Sequence, residues 1–155
     1  MINVVKGSYK KKREYPDVTE SFFEYLRKQN QKQSTGSIII IAQKRWGKTL
    51  VGMAIVAILM TFPERQLWFV DCPQLVDILN KQFPNRVFNT SDLSQIPNGA
   101  IIFFDETLVS LSGKRALTKY SRKFGEALAY TSHKQIFVIG CGQSDGMIKD
   151  FRDKA

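Results

Sequence analysis

"IIIIAQKRWGKTLVGMAIV" spans Ile38 to Val56 and decides how the rest of the chain is read. Four isoleucines make a strand-like apolar run, a short basic turn follows, and Gly47-Lys48-Thr49 opens an apolar run of helical length. A strand, a tight turn with converging N–H groups and a helix N-terminus together form an anion site. Gly47 lets the main chain approach phosphate oxygens, Lys48 brings an ammonium to the β- and γ-phosphates, and Thr49 offers a hydroxyl to Mg²⁺. The nucleotide-binding stretch predicted is Ala42, Gln43, Lys44, Arg45, Trp46, Gly47, Lys48 and Thr49. Ala42 stands where the usual pattern has its first glycine. Its methyl group is tolerated at negative φ and costly in a left-handed conformation. Lys44 and Arg45 add two cations; one of them reaches a γ-phosphate in cis, or both point to solvent. Trp46 either covers the loop or stacks on another aromatic.

A phosphate loop also needs a metal anchor and a base. "AIIFFDE" (100–106) ends a buried strand type on two acids, at the strand end where open α/β sheets bind ligands. Asp105 is the expected metal ligand, and Glu106 the group that polarises an attacking water. A kinase must exclude water and a hydrolase must aim it, so the second acid favours hydrolysis of ATP. No Asn/Thr-Lys-x-Asp stretch exists, which argues against a guanine-specific GTPase. Alone, "FFDE" also suits a strand closing on a solvated acidic turn.

Around these motifs, strand-like runs at 37–42, 66–72, 86–89, 100–106 and 135–141 alternate with helical patterns at 48–61, 73–82 and 114–131. A further helix is expected within 17–32, where Asp17 and Glu20 make a capping box and Val18, Phe22 and Leu26 recur at helical spacing. Apolar strands separated by helices predict a three-layer α/β/α sandwich with a mainly parallel sheet, and with the Gly-Lys-Thr turn and the strand-end acids it resembles the P-loop NTPase (ASCE/RecA-like) type. At 155 residues and 43% hydrophobic, one domain is expected overall. Residues 1–36 form its basic arm and N-terminal helix, and 37–155 its ATPase unit. Lys and Arg number 23 against 14 Asp and Glu, a net charge of +9. That field favours polyanions, or reflects a lysine-rich solvated surface. Cys72 and Cys141 end apolar runs without a CxxC pairing and read as buried thiols, not metal ligands. The N-terminus lacks a signal peptide pattern, and the longest apolar run, Val51 to Phe62, is too short to cross a bilayer. A cytoplasmic protein with no integral membrane segment is expected.

In order and spacing, "AQKRWGKT", "IIFFDE" and "SHKQIFVIGCGQ" resemble the P-loop ATPases of the FtsK/HerA type. That group includes DNA-pumping motors, viral genome-packaging ATPases and Zot-like proteins of filamentous phages. The resemblance spans Ser37 to about Arg152. It implies a glutamine sensor, here Gln143, that couples the γ-phosphate to movement of DNA-contacting parts; Gln143 also suits a helix cap. His133 matches the histidine of the family's Arg-His pair, but Ser132 stands at the arginine position. Arg122 is the favoured substitute for a trans-acting arginine, with Arg115 and Lys134 behind it. The loop also looks like that of large terminase subunits, although Thr49 and Asp105 are closer together than a terminase suggests.

The resemblance further implies ATP and Mg²⁺ as cofactors, double-stranded DNA as a partner, a ring of identical copies, and contact with a virion or capsid component. Virion association in an infected host follows from that. The basic clusters at 6–15 and 112–123 are the candidate grips, with Lys114, Arg115, Lys119 and Lys123 set to meet phosphates. A solvated helix face and a free arm are the plainer account of the same charges. Two rivals remain: a Zot-like assembly or secretion ATPase acting on protein or virion at a membrane, and an AAA-type helicase loader or replication switch.

Overall fold

The computed structural model describes residues 19–31, 35–43, 45–105 and 114–142. Five strands form one all-parallel sheet: β1 (Gly36–Ile41), β2 (Leu67–Val70), β3 (Val87–Thr90), β4 (Ile101–Asp105) and β5 (Phe137–Gly142). Their lateral order is β1-β5-β4-β2-β3. Among the described residues the helices are α1 (Thr19–Gln31), α2 (Lys48–Leu59), α3 (Gln74–Asn80) and α4 (Lys114–Lys134), and a 3-10 turn covers Leu93–Gln95.

Alternation of side chains along the strands divides the interior into two cores, as a sheet covered on both faces requires. Ile101 and Phe103 of β4, with Phe137, Ile139 and Cys141 of β5, pack with Leu26 of α1, Ile55, Val56 and Leu59 of α2 and Leu79 of α3. Ile102, Phe104, Ile136 and Val138 face the other way, onto Phe124, Ala127 and Leu128 of α4 and onto Leu93 and Ile96 around the 3-10 turn. The three-layer α/β/α arrangement predicted from the alternating pattern is what these two cores build.

Several boundaries differ from the sequence pattern. The second strand stops at Val70 because Asp71 turns to φ 53, although its N–H still bonds Thr90 O at 3.1 Å. The helix after the phosphate-loop motif ends at Leu59. Beyond it, Arg86 gathers the carbonyls of Met60 (3.0 Å), Phe62 (2.6 Å) and Arg65 (3.0 Å), and so holds the turn that leads into β2. The third helix is shorter than 73–82, opening after Pro73 and closing at Asn80. The last helix runs on to Lys134, whose ammonium donates to Ser94 O (3.2 Å) and Ile96 O (3.4 Å) and ties it to the 3-10 turn. The capping box at Asp17 lies outside the described residues. No helix among the described residues is long and apolar enough to cross a membrane.

Candidate functional site

β1 delivers the chain to the carboxyl edge of the sheet, where Ala42 N–H still donates to Gly142 O at 3.4 Å. The turn beyond it reverses through two left-handed residues, Arg45 (φ 70) and Gly47 (φ 74). Ala42 keeps a negative φ, so its methyl group meets no steric penalty and the missing first glycine is accounted for. The left-handed requirement has moved to Arg45, where a side chain holds the strain. Trp46 is 55% exposed, and its main-chain N–H donates to Gln43 O at 3.3 Å.

Lys48 begins α2 and is only 5% exposed. Its ammonium donates to Ala42 O and Gln43 O, both at 2.9 Å, and so closes the turn on itself. Thr49 Oγ1 donates to Asp105 Oδ2 at the tip of β4. Asp105 is 4% exposed. One residue pair thus joins two motifs separated by 56 positions.

Gly52 makes that approach possible. A Cβ there would lie 2.7 Å from Phe103 and 3.0 Å from Cys141 Sγ, so only a glycine lets α2 sit this close to β4 and β5. Cys141 pairs with Asp105 across the ladder, and its thiol donates to Lys48 O at 3.5 Å. Burial first, and the Asp105 charge second, push this thiol up to about 12, against the opposing pull of Lys48. Cys72 is raised as well, by burial and then by Asp105. Both thiols are free and buried, as their positions at the ends of apolar runs predict.

The remaining candidates divide. Lys44, Glu106 and Gln143 lie outside the described residues. Lys119 and Arg122 are exposed on α4, where Arg122 lines a shallow groove with Gly125, Glu126 and Ala129. Lys114 and Arg115 fall on the first turn of that helix. Lys123 is engaged elsewhere: its ammonium binds Asp71 Oδ2 at 2.7 Å and its side chain is only 12% exposed. Lys134 is occupied at the 3-10 turn and lies 5.0 Å above the Tyr130 ring. His133 is exposed.

The sequence pattern passed over Asp71, although the acid that ends the apolar run "LWFV" carries the same signal as Asp105. Asp71 Oδ1 also accepts from Ser91 Oγ at 2.8 Å. Burial raises its pKa, but the Lys123 and Ser91 hydrogen bonds and the Lys123 and Lys119 charges outweigh this and hold it below the usual carboxylate value. Asn89 was likewise silent in sequence; its Oδ1 accepts the Cys72 N–H at 2.8 Å and shapes the β2 exit.

Chemically, the arrangement offers α2's N-terminal N–H groups, a buried ammonium, a hydroxyl and a buried carboxylate at one sheet edge, a set suited to an anion and a hard cation. No protein family, no curated protein and no solved structure matches this chain.

Proposed function

We propose that this chain is a Mg²⁺-dependent ATPase of the P-loop type that moves double-stranded DNA, as one subunit of a ring-forming genome-packaging motor. The observation that carries the reading is the Thr49–Asp105 contact beside Lys48. A turn that merely contained Gly-Lys-Thr would have no reason to bring its hydroxyl onto a buried acid from another strand.

Thr49 and Asp105 are hard oxygen donors of the kind Mg²⁺ prefers, and they would hold the ion together. When bound, that ion neutralises charge on the β- and γ-phosphate oxygens. The protein does the rest. The first N–H groups of α2 and its dipole face the phosphates. An ammonium has three donors; Lys48 places two on Ala42 and Gln43 and turns the third to a phosphate oxygen. Glu106, next after Asp105, takes the proton of the attacking water. β5 lies between β1 and β4, and Gln143, the next residue in sequence after β5, is the proposed sensor of the γ-phosphate. Arg122 supplies the trans-acting cation to a neighbouring copy. Lys119, with Lys114 and Arg115, grips the DNA backbone.

The deciding experiment is ATP hydrolysis with and without duplex DNA, on the wild-type chain and Glu106→Gln. Hydrolysis stimulated by DNA and abolished by Glu106→Gln is expected. Turnover indifferent to DNA points to a secretion ATPase, and tight ATP binding with negligible turnover points to a switch. A chain that binds no ATP ends the reading.

A further inference from the structure

Two features tie α4 to the carboxyl edge of the sheet. Phe124 packs edge-on against Phe104, with ring centroids 5.2 Å apart, and Phe104 immediately precedes Asp105. One residue earlier on α4, Lys123 reaches Asp71, at the exit of the strand that pairs with β4. The left-handed backbone of Asp71 turns its carboxylate to the α4 side of the sheet, and Ser91 after β3 steadies the second oxygen. Lys123 is thereby withdrawn from the cationic face formed by its neighbours Lys119 and Arg122, both exposed. A lysine with 12% of its side chain exposed, fixed at 2.7 Å, is placed to hold the helix, not to meet a polyanion.

We propose that Asp71 and Lys123 are positioning residues that hold the cationic face of α4 in register with Asp105, so that nucleic acid on that face alters hydrolysis at the phosphate turn. This rests on the ATPase reading above and adds to it the contact through which the two sites communicate. Neither side chain touches nucleotide or DNA in this account. Their removal therefore changes the coupling between the sites and leaves each site's own affinity in place.

The test uses the full chain and four variants: Asp71→Asn, Lys123→Gln, Lys123→Arg, and the exchange Asp71→Lys with Lys123→Asp. Steady-state ATP hydrolysis is measured across duplex DNA concentrations, with DNA affinity and thermal unfolding measured alongside. Asp71→Asn is expected to cut the DNA-stimulated kcat by about tenfold, in the range of ordinary coupling energies. Its basal rate, KM for ATP and DNA affinity should stay within about twofold. Lys123→Gln should lose stimulation to the same degree. Lys123→Arg should keep it, and the exchanged pair should recover part of it.

Two results overturn the proposal while leaving the ATPase reading intact. One is full stimulation in both Asp71→Asn and Lys123→Gln. The other is a drop in DNA affinity for Lys123→Gln alone, which would make Lys123 a direct phosphate contact. If wild-type ATPase activity is absent or indifferent to DNA, the functional reading falls and the coupling with it. Loss of cooperative unfolding in Asp71→Asn would assign the pair a purely structural role and overturn the proposal as well.

Discussion

Lys48 and Asp105 are almost withdrawn from water, and both are charged groups that burial disfavours unless partners compensate. Two carbonyls serve Lys48 and the Thr49 hydroxyl serves Asp105. On the proposed ATPase reading, Lys48→Ala should reduce ATP hydrolysis by about two to three orders of magnitude. ATP titration and turnover on a variant with an unchanged melting profile check this. Cys141 gives a second prediction. Its folded-state pKa is raised from 9.0 to about 12, so the neutral thiol is the native form. The stability gained by keeping that proton is fully present below pH 9.0 and is lost as pH rises through about 12. At pH 8 the native chain should therefore leave Cys141 unmodified by iodoacetamide, and the unfolded chain should react; peptide mass spectrometry separates the two. The meeting of Lys48, Thr49 and Asp105 at one sheet edge was legible because a glycine, a lysine and a threonine at fixed spacing after one strand, and an acid closing another, mark that edge. The role of Asp71 was not, because it depends on a left-handed backbone and on Lys123, 52 positions away.

α2 illustrates how an element serves a site. Its N-terminus must approach β4 and β5 closely enough for Thr49 to reach Asp105, and Gly52 alone permits that approach. Gly52→Ala forces a methyl group against the Phe103 ring and the Cys141 sulfur. Overpacking of this kind costs about 1–3 kcal/mol. Chemical denaturation should register that loss, and KM for ATP should rise as the helix is pushed outward. Helical and strand periods were readable for the core elements, since apolar runs and breaks fix them. Their ends were less so. β2 stops early through the conformation of Asp71, and α4 extends because Lys134 finds two carbonyls on a distant turn. Both are tertiary effects with no local signature.

At the scale of the molecule, parallel pairing was legible and strand order was not: nothing in the run "IFVIGCG" says that it lies between β1 and β4. That order follows from packing two crossover layers, not from any single segment. The net charge of +9 belongs to this scale too. Duplex DNA affinity should fall linearly on a double-logarithmic plot against salt, with a slope set by the number of phosphates neutralised. Fluorescence anisotropy across a salt series measures it, and a flat response would remove backbone contacts as the source of binding. β1 occupies one margin of the sheet, flanked by β5 alone among the described residues. An isoleucine ribbon with peptide groups along its outer side is a template for any extended segment it meets. Mutual repulsion of strongly cationic copies opposes such pairing. Polyanions that cancel this repulsion should therefore promote self-association, so excess DNA should precipitate the protein.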